Sequence, residues 1–192
     1  MDITLRQSWV ALRLLIVMTV VLGIAYPVAI YVVGRAIPGT TNGSFVTNAS
    51  GQVVGSALIG QNFDGPTWFH PRPSAAGKGY DPLSSGGTNL ADDNPDLVKS
   101  IAAANATIAA ADGVAPASIP ADAVTSSGSG LDPDISPDYA RLQATSIAKA
   151  RHLDVAKLLA LVDAHVTGRI LGFIGEPRVN VLELNLALEQ MR

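Results

Sequence analysis

The chain has 192 residues, 48% of them hydrophobic, with a formal net charge of −3 and no cysteine. The missing cysteines exclude a disulfide framework and any thiolate metal site. The acidic balance disfavours nucleic acid, whose phosphates call for basic surface.

From Leu14 to Val33 the sequence is apolar and carries no charge. A helix of about 20 residues rises ~30 Å, the thickness of a bilayer's hydrocarbon core, so this run predicts one transmembrane helix. Arg6 and Arg13 precede it; Arg35 follows, and no further Lys or Arg occurs until Arg72. Positive residues favour the cytoplasmic side, which places the amino terminus inside and the rest of the chain outside. A cleaved signal peptide is the competing reading. Its apolar core would be ~7–15 residues followed by small residues, whereas this run is longer and closes with Tyr26, Pro27 and Tyr31 ahead of Gly34-Arg35. With no ionisable residue inside it, the span offers no ion or proton relay. Gly23, Ala25 and Ala29 permit close helix packing, and Pro27 predicts a kink.

The expected organisation is a short cytoplasmic segment (1–13), the transmembrane helix (14–33), a linker (34–43) and one extracytoplasmic domain (44–192). Beyond Arg35 there are 15 acidic residues against 10 basic, a net charge of −5. That stretch is long enough for a single compact domain with its own core.

Within it, Pro38 to Gly43 reads as exposed linker. Phe45-Val46-Thr47, the turn set Asn48-Ala49-Ser50-Gly51 and Gln52-Val53-Val54 predict a hairpin, with Leu58-Ile59 as a continuation of its second strand. Gly60 to Pro95 is rich in Gly, Pro, Ser, Asp and aromatics and reads as ordered loop. Asn94 then caps a helix, with Pro95 at its first position and Asp96 at its positive end. Leu97, Ile101, Ala104 and Ile108 share one face of it, and Gly113 ends it. Ser136-Pro137-Asp138 opens a second helix running to about His152. Asp154 caps a third, with Val155, Leu158, Leu159, Val162 and Val166 inward and Gly168 past its end. Ile170 to Ile174 reads as a buried strand and Gly175 to Pro177 as a turn. Asn180 starts a last helix whose Leu182, Leu184, Leu186 and Leu188 put apolar residues on both faces, so it is expected to be buried. The balance of a few strands and several helices is α+β.

Three segments carry residue types suited to chemistry. Leu83-Ser84-Ser85-Gly86-Gly87-Thr88-Asn89 resembles the LSGGQ signature with which transport ATPases hold a nucleotide phosphate, and Ser/Gly turns make anion-binding nests. It has an extra serine and lacks the glutamine, and a Ser/Gly turn without a phosphate occurs far more often. No G-x-x-x-x-G-K-[ST] occurs, so the chain is not a self-sufficient nucleotidase. Asp132 and Asp134 stand two apart in a Ser/Gly/Pro loop but lack the further ligands of a calcium site. Ser146 and Lys149 have the S-x-x-K spacing that lets a neutral lysine activate a serine hydroxyl, without the companion S-D-N and K-T-G elements. His70, His152 and His165 have no metal-ligand spacing. A membrane-anchored hydrolase built on Ser146 and Lys149, and a free-standing extracytoplasmic binding module, both stay open at this point.

The order of segments is distinctive. Behind the anchor come Gly55-Ser56-Ala57-Leu58-Ile59-Gly60-Gln61, then Trp68-Phe69-His70-Pro71-Arg72-Pro73-Ser74-Ala75. Ser85-Gly86-Gly87-Thr88-Asn89-Leu90 and Asn94-Pro95 follow. The series ends with Pro120 to Thr125, Ser129-Gly130-Leu131-Asp132-Pro133-Asp134-Ile135-Ser136-Pro137, and Arg178-Val179-Asn180-Val181-Leu182-Glu183-Leu184-Asn185. Together these resemble the C-subunit family of the bacterial Kdp potassium-transporting ATPase. Thr88 stands where serine is common, and Asp134 is followed by Ile135 where the family often reads Pro-His-Ile. The resemblance implies a non-catalytic, single-pass subunit of the bacterial cytoplasmic membrane, needed to assemble a high-affinity potassium uptake complex. Its implied partners are a channel-like potassium-binding subunit and a P-type ATPase subunit, where ATP hydrolysis resides. The family has been described as a catalytic chaperone raising that subunit's ATP affinity, which would make Ser85, Gly86 and Gly87 the nucleotide contact. No cofactor of its own is implied. Gln61, Arg72, Pro73, Ser74, Asn89, Asp132, Pro133, Ser136, Asn180 and Asn185 are the other motif residues, expected to be structural or interfacial.

Overall fold

Among the described residues one helix, Ile3–Arg35, meets the length and apolarity needed to cross a bilayer. The computed structural model describes residues 3–37 and 41–191, so Pro38 to Thr40 of the expected linker lie outside the described residues, as do Met1, Asp2 and Arg192. The chain divides into two units at Ser44/Phe45.

The first unit is that helix, which begins well before Leu14. Its parts are α1 (Ile3–Val20), a π-helical stretch (Val21–Ala25) and α2 (Tyr26–Arg35). The π stretch sits where Pro27 demands it: proline has no N–H to give and its ring crowds the carbonyl four residues back, so the ladder widens one turn upstream. Thr19 returns its hydroxyl to the Leu15 carbonyl at 2.8 Å, which keeps its one polar atom satisfied inside an apolar surface. No residue of α1, the π stretch or α2 is buried.

The second unit opens with β1 (Phe45–Thr47) and β2 (Val53–Ser56), an antiparallel hairpin with a register shift at Val46/Thr47. Asn48 shapes the turn: its side-chain oxygen accepts from the amides of Ser50 and Gln52. From there to Pro95 the chain has no helix or strand. Leu58-Ile59, expected to extend β2, belong to this loop. α3 (Pro95–Asp112) starts where Asn94 accepts from the Asp96 amide and stops at Gly113, whose φ of 67° is left-handed. Leu97, Ile101, Ala104 and Ile108 are its half-buried face.

After a 3-10 turn (Pro116–Ser118) and the short α4 (Ala121–Val124), β3 (Asp134–Ile135) leads into α5 (Pro137–Arg151). Ser136 caps α5 by accepting from the Tyr139 amide, and His152 ends it in a left-handed conformation. α6 (Val155–Ala164), capped by Asp154, is followed by β4 (Val166–Thr167), β5 (Arg178–Asn180) and α7 (Val181–Glu189), which Asn180 caps through the Glu183 amide. β5 is the centre of a three-stranded antiparallel sheet in the order β3-β5-β4. The core comprises Phe69 from the long loop, Ala140, Ala144 and Ile147 from α5, Leu158 and Val162 from α6, Val179 from β5, and Leu184 and Leu188 from α7. The fold is α+β, and α7 is buried as its two-sided apolarity requires.

Three further expectations fail. Val166 is strand rather than helix, because α6 stops at Ala164 and the His165 ring bonds back to the Leu161 carbonyl at 2.8 Å. Val155, expected inward, is 37% exposed. The larger correction is Ile170 to Ile174, which is not a buried strand. It is a tight exposed hairpin in which the Ile170 and Ile174 backbones exchange bonds of 2.9 and 3.0 Å. Leu171, Gly172 and Gly175 all take positive φ, which turns the run back on itself. A five-residue apolar run does not by itself distinguish a core strand from a surface turn.

Candidate functional site

A loop as long as 57–94 leaves many backbone groups without a ladder, so side chains must answer them. Most of the motif residues do this. Asn185, 1% exposed, donates from Nδ2 to the Phe69 carbonyl and accepts at Oδ1 from the Phe69 amide, both at 2.9 Å. Gln143 treats His70 the same way, donating from Nε2 at 3.2 Å and accepting at Oε1 at 2.7 Å. Two buried amide side chains thus hold consecutive residues of the loop as a strand partner would. Arg151 adds bonds to the Thr67 and Leu188 carbonyls and lies 4.6 Å over the Trp68 ring; burial pulls its pKa down from the ordinary arginine range.

The next stretch closes on residues 125–134. Arg72 pairs with Asp132 at 3.1 Å and donates to the Thr125 and Ser126 carbonyls. Ser74 donates to the Gly130 carbonyl at 2.6 Å while accepting from the Ala76 and Tyr80 amides, and the Tyr80 hydroxyl donates to the Arg72 carbonyl. Gln61 donates to the Val54 carbonyl. Asn180 donates to the Ala57 carbonyl at 2.9 Å and to Asp134. Asp134 also pairs with Arg178 at 2.9 Å; burial nonetheless raises its pKa, Asp132 and Glu183 adding to the effect and Arg178 and Asn180 opposing it. Ser136 donates its amide and hydroxyl to Asp122, and the Pro133 carbonyl accepts from the Val181 amide.

The Ser/Gly segment lies on this assembly. The Ser85 hydroxyl and the Gly86 amide both donate to the Ser129 carbonyl, at 3.0 and 2.8 Å. The Ser84 amide donates to Asp81. Two amides that a phosphate nest would use are therefore engaged within the protein. Gly87 lies against the Gly128 backbone, and Asn89 is exposed in a left-handed conformation.

Beside these loops, α3 and α5 enclose a cavity of about 410 Å³ with Pro73, Tyr80, Ile108, Asp112, Tyr139 and Ser146 on its wall. Ser146 donates to Asp112 and to the Gln143 carbonyl. Lys149 is exposed, and among the described residues no hydrogen bond joins it to Ser146, so the pair is not arranged as nucleophile and base. No three of His, Asp and Glu gather as a metal site among the described residues.

Burial raises the pKa of both tyrosines on this wall, Tyr80 to about 12 with help from Asp64, and Tyr139 further, with Asp112 and Asp122 contributing. In the unfolded chain both ionise near pH 10. The folded state keeps its protons longer, so rising pH favours unfolding: the contribution is intact below pH ~10 and lost above it. We expect thermal stability to fall from pH ~10 upward, and less steeply in Tyr139→Phe, as followed by melting temperature across pH 8–11.5. An equal slope in the variant would refute the assignment.

Comparison with known proteins assigns the family. Residues 8–190 match the family model described as K+-transporting ATPase, c chain. The chain belongs to the KdpC family. The Kineococcus radiotolerans member, a potassium-transporting ATPase KdpC subunit, is 54% identical over 96% of this chain and 93% of its own length. Namesakes from Caulobacter vibrioides (52%; 96% and 92%) and Streptomyces avermitilis (47%; 98% and 95%) match over similar spans. Within this KdpC-family fold, the roles of Gln143 and Arg151 escaped sequence reasoning. Gln143 sits mid-helix and Arg151 at the last position of α5, with partners 73 and 84 residues away, and only a buried polar residue on an otherwise apolar face could have signalled Gln143.

Proposed function

We propose that the chain is the non-catalytic accessory subunit of a potassium-transporting ATPase complex, anchored by its single span with the amino terminus cytoplasmic and the α+β domain outside. The observation that carries this reading is the match to the potassium-transporting ATPase c chain over residues 8–190. The hydrogen-bonding of the motif residues supports it: Arg72, Ser74, Asn180 and Asn185 are spent on holding the domain's own loops. Its partners are a channel-like potassium-binding subunit and a P-type ATPase subunit of the inner membrane. The charge bias around the span supports the orientation. An acidic domain there raises local cation concentration over no more than a Debye length of ~8 Å.

The test is a mild-detergent pull-down of the tagged chain from potassium-starved cells, with ATPase activity assayed on the eluate. Stoichiometric recovery of both partner subunits with potassium-stimulated hydrolysis is the expected result. Recovery of the chain alone, from cells that contain those subunits, would overturn it. As a chaperone the subunit would raise the ATPase subunit's ATP affinity through Ser85, Gly86 and Gly87. The inward bonds of Ser85 and Gly86 favour a structural role instead, so Ser85→Ala is expected to leave the complex's ATP affinity within about twofold. A rise of tenfold or more in KM for ATP would restore the nucleotide contact.

A further inference from the structure

The cavity between α3 and α5, at about 410 Å³, has the size of a small-molecule site, and such sites pair an apolar wall with a few convergent polar groups. Pro66, Pro73, Ile108 and Ile147 supply apolar wall. The polar groups facing it are acceptors with capacity left. Asp112 accepts from Ser146 at Oδ1, and Oδ2 has no partner among the described residues. Tyr139 is only 3% exposed, yet its hydroxyl makes no hydrogen bond among the described residues. That hydroxyl is not sealed away without a partner, so the cavity is where it is reached. His70 bonds through Nδ1 to the Phe63 carbonyl at 2.9 Å. A carbonyl only accepts, so Nδ1 carries the proton and Nε2 of the neutral ring is an acceptor. By contrast Tyr80, Thr107 and Ser146 turn their hydroxyl protons to protein acceptors.

The charge at this site is unbalanced. Asp112 is the last residue of α3, where the carbonyl end of the helix is already negative and an acid is disfavoured. No Lys or Arg pairs with it among the described residues, and none lines the cavity. Its charge is felt at the Tyr139 phenol, whose pKa burial raises first and Asp112 next, so the two groups lie close together. An anion would meet this carboxylate without a counter-charge. A bare hard cation needs about six oxygens around it, which an apolar wall does not offer. A neutral apolar molecule would leave the carboxylate dry and unpaired. An ammonium group on an apolar body answers all three objections.

We infer that the α3–α5 cavity is a binding site for a small organic ammonium. Asp112 holds the cationic head, with Tyr139 and His70 as further acceptors, and Pro73, Ile108 and Ile147 take the apolar body. The site lies wholly within one domain and stands apart from the accessory-subunit reading.

The test is calorimetric titration of the full chain in neutral detergent with benzylammonium, benzyl alcohol, benzoate and potassium chloride, detergent alone serving as blank. Benzylammonium should bind saturably and at least about tenfold more tightly than benzyl alcohol, as a charge-assisted hydrogen bond requires. Benzoate and potassium should not displace it. Asp112→Asn should reduce benzylammonium to the level of the alcohol while keeping or raising the melting temperature, since it removes an acid from a helix carboxy terminus. Ala111→Lys, at an exposed position on the same wall, sets a tethered ammonium beside Asp112 and should have the same effect on binding. Equal affinity for the ammonium and the alcohol would overturn the proposal. So would affinity unchanged in either folded variant, or no saturable binding at millimolar concentration.

Discussion

Asn185→Ala is expected to lower the melting temperature of the chain by about 6–20 °C. The side chain is buried and makes both of its hydrogen bonds to the backbone of Phe69, a fully buried core residue. Truncation leaves a buried amide and a buried carbonyl without partners, each worth about 1–3 kcal/mol. A loss of about 3–5 kcal/mol translates to about 2–4 °C per kcal/mol in a domain of this size. Scanning calorimetry of the full chain in detergent checks it. A drop of less than about 2 °C would mean that water replaces the side chain and that the clamp is dispensable.

Gly130→Ala is the second large effect, and it works through the backbone. Gly130 has a φ of 66°, and a Cβ there would stand 2.6 Å from both the Ala76 amide nitrogen and the Gly86 carbonyl oxygen. Both neighbours are main chain, so neither can turn aside. The left-handed conformation costs about 1–2 kcal/mol for a residue with a Cβ, and overpacking adds about 1–3 kcal/mol. We expect a loss of about 2–5 kcal/mol. The Ser85–Gly87 segment, which bonds to the neighbouring Ser129 carbonyl, should also gain protease sensitivity. Gly128→Ala, where a Cβ would meet open space, is the control and should cost under about 1 kcal/mol. Equal effects at the two glycines would show that the close approach is not what the fold needs.

Local signals were legible. The helix caps Asn94, Ser136, Asp154 and Asn180 all make their expected bonds to helix amides, since a cap is decided by residues two or three apart. The first hairpin is legible for the same reason, and so is the apolar span. The β3-β5-β4 sheet was not: its strands are two or three residues long, too short for alternation to show. Ile170–Ile174 misled because apolarity reports a preference for burial and does not name the surface that supplies it. The candidate site was half legible. Arg72, Ser74, Asn180 and Asn185 stood out as motif residues, yet their long-range partners lie between 46 and 123 residues away in sequence, where local pattern carries no information.

That separation has a kinetic meaning. The seat for Phe69 is finished by Leu184, Asn185 and Leu188, close to the carboxy-terminal end of the described chain. Closing so long a loop comes at an entropic cost before any native contact repays it. The Phe69 end of the strap of residues 57–94 therefore closes only when residues 184–188 are available, whereas its later part needs only residues 125–134. On the orientation proposed above, in which the domain crosses the membrane, a core that closes only with its last helix suits export in an unfolded form.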